Sequence, residues 1–251
     1  MALHGLGLFL LEAGAGTAAL LLFFPTQTLG RGFFSLHGAL ACFFVLLAAL
    51  TRLEGASSAV AWIGAGCLGL YALAANADRA REARPLLAAG AAASVWTLAR
   101  SAAALPRGGG DAWTAAGAVL GGLFFGAVLL TMNLGHWYLI SRSLPFKLLA
   151  RGARLFAGLA AARTLLLAAA MGLSGRQGLA DLLSLERDAL FFLFRVLWGI
   201  LGPLLLSYFI WKTADMKSNQ AATGLLYVAL VFVLIGELLS SYLTVATGFP
   251  A

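Results

Sequence analysis

Three ionisable residues, Glu12, Arg195 and Glu237, stand in long apolar stretches where a charge is costly to keep. An ionised group at the centre of a bilayer costs on the order of 2.5–3.5 kcal/mol or more. At a rise of 1.5 Å per residue, each lies roughly 9–14 Å below the same membrane surface. We predict that the three meet inside a helix bundle, where one guanidinium between two carboxylates offsets the desolvation of all three. Such a group can transfer a proton or bind a polar headgroup; alternatively, it is an ion pair that only locks helices together.

A second candidate group consists of His37, His136 and Arg163, placed towards the other membrane surface and predicted to bind a cofactor. Both histidines lie inside predicted spans, and their depths match. One His from each of two facing helices is the ligand set of a b-type haem. Two other interpretations stay open for His136. It can be an interfacial polar residue beside Trp137 and Tyr138, or a hydrogen-bonding partner for a ligand such as a quinone carbonyl.

The composition indicates the elements that must position these groups. Of 251 residues, 61% are hydrophobic and 11% are charged, whereas a soluble domain has about a quarter charged residues. A soluble enzyme and a disordered chain are therefore excluded, and the sequence predicts an all-α, polytopic membrane helix bundle forming a single domain over residues 1–251. A spanning helix needs about 20 mostly apolar residues. Eight stretches qualify: 3–24, 33–51, 58–76, 85–105, 112–140, 152–173, 189–211 and 221–246.

The distribution of basic residues predicts the orientation. Most Lys and Arg residues outside the spans follow odd-numbered spans, and positive loops stay in the cytoplasm. Both termini are therefore expected on the non-cytoplasmic side of what is predicted to be a bacterial inner membrane. The net charge of +7 then reflects topology, and no nucleic-acid partner is expected. Cys42 and Cys67 are far apart in the chain and form no CxxC motif, so no metal site is expected apart from the haem alternative.

Glycine and proline predict a local distortion in the seventh span. Gly199, Gly202 and Pro203 follow Arg195 closely in the chain. Proline removes a backbone donor from a helix and bends it. A kink beside a buried charge would leave room for water or a ligand.

The pattern as a whole resembles the quinol-interacting membrane anchor subunits of polysulfide and dimethyl sulfoxide reductases. The resemblance consists of eight spans, outer termini, short loops and the element Gly236-Glu237-Leu238 in the last span. It implies a respiratory membrane subunit that exchanges electrons with quinone or quinol near the outer face. It further implies that Glu12, Arg195 and Glu237 form the catalytic group. A partner subunit carrying iron–sulfur clusters or haem would be required, so any oxidoreductase activity would belong to the complex.

Three alternatives remain open from the residues alone. The buried charges also suit a small-solute transporter or channel, although the two halves show no internal repeat. They suit a scaffold subunit without chemistry of its own. A b-type cytochrome with His37 and His136 as ligands is the third alternative.

Overall fold

The structure is a computed structural model that describes residues 2–51, 56–105, 111–140, 144–145, 147–184 and 186–248. Within these residues the chain folds into nine α-helices. A π-helical segment, Arg195–Leu201, joins the seventh helix to the eighth. The helices are α1 Ala2–Leu21, α2 Arg31–Leu50, α3 Ala56–Asn76, α4 Arg84–Ala103, α5 Asp111–Ile140, α6 Lys147–Ser184, α7 Glu186–Phe194, α8 Gly202–Asp215 and α9 Asn219–Thr247.

The predicted all-α class and the eight spans are confirmed. Eight helical stretches are long and apolar enough to cross a membrane, with mean hydropathies between 1.2 and 2.2. The seventh span, Ala189–Asp215, comprises the end of α7, the π-helical segment and α8. Helices suit this setting because they satisfy every internal backbone hydrogen bond without water.

The span ends differ from the predicted ones where local backbone geometry decides. The first span ends at Leu21 instead of 24, because turns follow and Pro25 disfavours helical geometry in the residue before it. The sixth helix begins earlier than predicted, at Lys147, shortly after Pro145, whose carbonyl oxygen accepts a hydrogen bond from the Leu148 N–H. Helix α6 also continues past the predicted end to Ser184.

Helices α1 and α5 form the centre of the bundle. Their apolar windows are 78% and 72% buried, against 28–44% for the other spans. The two helices touch backbone to backbone at Gly16, Gly122 and Gly126. A Cβ placed on Gly16 would lie 1.7 Å from the Gly122 carbonyl oxygen. Small residues permit this approach, which maximises van der Waals contact where lipid supplies no hydrophobic drive.

The outer helices present large apolar side chains away from the protein. Ile63, Leu73, Leu165 and Leu205 are more than 60% exposed. In water such a surface would drive association, whereas lipid tails solvate it. The protein is therefore an integral membrane protein whose polar residues of interest lie in its interior.

The sequence predicts a distortion around Pro203, and the structure shows it as the π-helical segment that precedes this proline. In an α-helix the Gly199 carbonyl oxygen would accept from the N–H of residue 203, which proline lacks. Arg195 donates from Nη1 to that oxygen at 3.3 Å. Gly199 also packs directly on Gly236 of α9, and a Cβ added to Gly236 would lie 2.3 Å from the Gly199 Cα. The wide turn thus brings the backbone of the seventh span against α9.

Candidate functional site

Two guanidinium groups hold one buried carboxylate at the centre of the candidate site. Arg163 Nη2 lies 2.9 Å from Glu237 Oε2, and Arg195 Nη1 lies 2.9 Å from Glu237 Oε1. Arg163 also donates from Nε to Oε1 at 3.4 Å. All three side chains are at most 2% exposed. Helices α6 and α9 and the π-helical segment are therefore joined by charge-assisted hydrogen bonds, which are shorter and stronger than neutral ones.

Glycines make the space that these large side chains occupy. A Cβ on Gly121 of α5 would lie 2.5 Å from Glu237 Oε2, and one on Gly236 would lie 3.0 Å from Arg195 Nη1. The carboxylate therefore sits directly against the α5 backbone. A buried charge gains most from such close packing because it excludes competing water.

Glu12 joins the same site through α9. Its Oε2 accepts a hydrogen bond of 3.0 Å from the Ser241 hydroxyl, and the Glu12 side chain is buried. It interacts electrostatically with Glu237, Arg163 and Arg195. We refer to Glu12, Glu237, Arg163 and Arg195 as the ionic cluster. Two acids and two bases balance when all four are ionised, which limits the cost of burying them.

The structure brings Glu12, Arg195 and Glu237 into one buried group, but with Glu237 between two guanidinium groups and not, as predicted, one guanidinium between two carboxylates. Arg195 contacts Glu237 directly, and Glu12 reaches the same helix through Ser241. The side chains point inward instead of towards lipid. Their predicted catalytic role is a separate matter and stays a prediction.

The predicted grouping of Arg163 with the histidines is wrong. Arg163 pairs with Glu237 and donates from Nη2 to the Ser240 hydroxyl at 2.7 Å. The physical reason is charge balance, since one Arg between two carboxylates leaves an uncompensated negative charge in lipid. Counting the buried charges could have identified Arg163 as the missing cation. Its contact with Ser240 depends on helix rotation, which the sequence does not specify.

His37 uses both ring nitrogens within the protein. Nδ1 donates to the Phe33 carbonyl oxygen at 2.7 Å, and Nε2 lies 3.0 Å from Asn133 Nδ2, which donates to it. The ring is fully buried and packs on Phe33, with ring centroids 4.2 Å apart. Asn133 was not predicted as a site residue, and its position four residues after Leu129 on an apolar helix gives no signal for a histidine partner.

His136 has a different setting from His37. It is exposed, and its Nδ1 lies 3.1 Å from the Tyr227 hydroxyl of α9. An axial haem ligand needs a free ring nitrogen facing the iron, and His37 would have to break a hydrogen bond to supply one. The two histidines therefore do not fit a bis-imidazole haem site in this arrangement.

An apolar groove of about 360 Å³ lies between α6 and the seventh span. It is within the 300–1,000 Å³ range of ordinary ligand sites. Thr164 and Val196 line it, and each directly follows an arginine of the ionic cluster. The other lining residues include Leu167, Met171, Phe192, Leu193, Ile200 and Leu201.

Arg195 has donor capacity left after its contacts with Glu237 and Gly199. Its Nε and Nη2 atoms are buried and have no hydrogen-bond partner among the described residues. Buried donors in folded proteins are nearly always satisfied, so an exception needs an explanation. The three N–H bonds on these two atoms are suited to the oxygen atom of a ligand.

Comparison with known protein families, curated proteins and solved structures finds no match to this chain.

Proposed function

We propose that this chain is a membrane subunit of an electron-transfer complex that binds quinone or quinol in the groove beside the ionic cluster. The observation that carries the proposal is the buried Arg195, whose Nε and Nη2 atoms have no partner among the described residues, in the same π-helical segment whose Val196 and Ile200 line an apolar groove of about 360 Å³. A quinone has an apolar ring and tail and two carbonyl oxygens. It therefore needs a lipid-accessible apolar site with few, well-placed donors.

The ionic cluster supplies what quinol chemistry requires of a protein. Oxidation of a quinol releases protons as well as electrons, and a carboxylate within reach can accept a proton. Arg195 can polarise the ligand oxygen while it holds Glu237 ionised. The electrons need an acceptor, which we propose to be a partner subunit with iron–sulfur clusters or haem. The complex would then reside in the bacterial cytoplasmic membrane.

A scaffold subunit is the second candidate, and a specific observation favours it. Both oxygens of Glu237 are held by guanidinium groups, so the ionic cluster is satisfied largely within the protein. An arrangement of this kind can serve only to fix helices α6 and α9 relative to the seventh span. The two candidates differ in whether the groove binds a ligand.

The groove offers a matched pair of variants to test ligand binding. Leu193 lines the groove and is 52% exposed, whereas Leu197, one turn later, is 48% exposed and does not line it. We expect Leu193→Trp to fill the groove and weaken binding of a photoreactive azidoquinone at least about tenfold, or 1.4 kcal/mol. Leu197→Trp adds the same bulk to a similar lipid-facing position and should leave labelling unchanged.

The measurement is photolabelling of the full-length chain in lipid nanodiscs, with the labelled peptides identified by mass spectrometry. Labels on the lining segments of α6 and the seventh span, competed by unlabelled decylubiquinone, would support the proposal. If these segments were not labelled, or if decylubiquinone did not compete, quinone binding would be contradicted and the scaffold function would be favoured. Equal loss in both variants would indicate a general effect of bulk on the helix.

A further inference from the structure

The two carboxyl groups of the ionic cluster have unequal partners. Glu237 accepts from two guanidinium groups, at 2.9 Å on each oxygen. Glu12 accepts from the neutral hydroxyl of Ser241 at 3.0 Å. Hydrogen bonds from charged donors stabilise a carboxylate roughly twice as strongly as neutral ones. Glu237 is therefore held as an anion, whereas Glu12 can lose its charge without breaking an ion pair.

A small cavity lies against Glu12. It has a volume of about 10 Å³, which is room for about one water molecule. Thr114, Ser240 and Thr244 line it together with Arg163, so the walls are polar enough to bind water. A water needs two to four polar partners to be stable in such a place, and these four side chains and Glu12 provide them.

The cavity lies close to one end of the bundle. Thr114 is in the first turn of α5, Leu8 is in the first half of α1, and Thr244 is in the last turn of α9. These helix ends lie together because α1 runs parallel to α5, with Glu12 at Gly122 and Gly16 at Gly126. Helix α9 runs antiparallel to α5, with Glu237 at Gly121 and Thr223 at Gly135. At 1.5 Å per residue, Thr114 is only about 5 Å from the start of its helix.

We propose that Glu12 is a proton-exchange site served by one water molecule in this cavity, and that Glu237 stays ionised as the counter-ion of Arg163 and Arg195. On release, the Glu12 carboxyl gives its proton to the water, and the water passes one proton towards the end of the bundle. On uptake, the sequence is reversed. Only protons move, so no oxidant or reductant is involved.

Because other charged groups face Glu12, proton exchange at Glu12 changes the net charge of the whole ionic cluster. Glu237 of α9 disfavours a second carboxylate nearby, while Arg163 of α6 and Arg195 of the seventh span favour it. On the α2 side, apolar Val45 and the Ala41 backbone pack near Gly14 and supply no charge. Protonated Glu12 leaves a net charge of +1 on the cluster, and ionised Glu12 leaves none. Proton uptake by Glu12 therefore changes the electrostatic field inside the helix bundle.

This inference does not depend on quinone binding, because proton exchange at Glu12 needs only the cavity and the cluster. The test is infrared difference spectroscopy of the full-length chain in nanodiscs, comparing acidic with alkaline buffer. We expect a carboxylic acid C=O band that is lost on raising the pH. The band should be absent in Glu12→Gln and shifted to higher frequency in Ser241→Ala, which removes a hydrogen bond to the carboxyl group.

Two further variants keep the experiment decisive. Glu82 is an exposed loop carboxylate with a side chain 78% exposed, and Glu82→Gln should leave the band unchanged. Ala118 lines the cavity, and Ala118→Val should slow hydrogen–deuterium exchange of the band by displacing the water. A band that persists in Glu12→Gln, or a wild-type spectrum without a buried carboxyl band at any pH, would overturn the inference. Leu193→Trp, which tests quinone binding, should not alter the Glu12 band. The two proposals can therefore fail independently of each other.

Discussion

Replacing Glu237 with Gln is expected to destabilise the protein by about 3–5 kcal/mol, the cost of removing one partner from a buried ion pair. Two guanidinium groups, Arg163 and Arg195, would then share only Glu12 as a counter-charge. Gln has nearly the same shape as Glu, so the loss would reflect charge and not packing. Denaturant-induced unfolding in detergent, followed by helical circular dichroism, measures the effect.

A charge-balanced double variant is the control for this prediction. Glu237→Met combined with Arg195→Met removes one positive and one negative charge, leaving Arg163 and Glu12. Replacing a buried ion pair with apolar residues is often neutral or stabilising, so we expect this variant to be more stable than Glu237→Gln. A coupling energy near zero between the two sites in a double-mutant cycle would show that the ion pair does not hold these helices together.

Replacing Gly16 with Ala is expected to disrupt the packing of α1 on α5. The new Cβ would lie 1.7 Å from the Gly122 carbonyl oxygen, so the two backbones must separate. Overpacking in a core costs about 1–3 kcal/mol, and a clash with rigid backbone belongs at or above the upper end of that range. Separation of α1 from α5 would also move Glu12 relative to Gly122, which its backbone contacts.

Gly66 provides the matched control. It lies on a membrane helix, α3, and a Cβ there would have no atom within 4 Å. Gly66→Ala should be neutral or slightly stabilising, because alanine favours the helix relative to glycine. Thermal unfolding of both variants in detergent measures the difference. If Gly16→Ala were as stable as Gly66→Ala, the close contact between α1 and α5 could not be a main source of stability.

The sequence was sufficient to predict the membrane elements and the approximate heights of the charged groups. Each span is a local property, because a run of apolar residues long enough to cross lipid must form a helix to satisfy its backbone. Height follows from the position of a residue along that helix. Burial of Glu12, Arg195 and Glu237 was also predictable, since the cost of a charge in lipid favours the interior.

The tertiary structure decided which groups meet, because contact depends on the rotation of each helix about its axis. Gly16 against Gly122, and Gly199 against Gly236, fix the distances and rotations of neighbouring helices. On α6, Gly152 packs against Thr131 of α5, and Arg163 of the same helix faces Glu237. In the same way, packing gives His37 an internal partner in Asn133 and leaves His136 exposed. Hydropathy determines that a residue lies in the membrane and at what depth, whereas side-chain packing between helices determines what it touches.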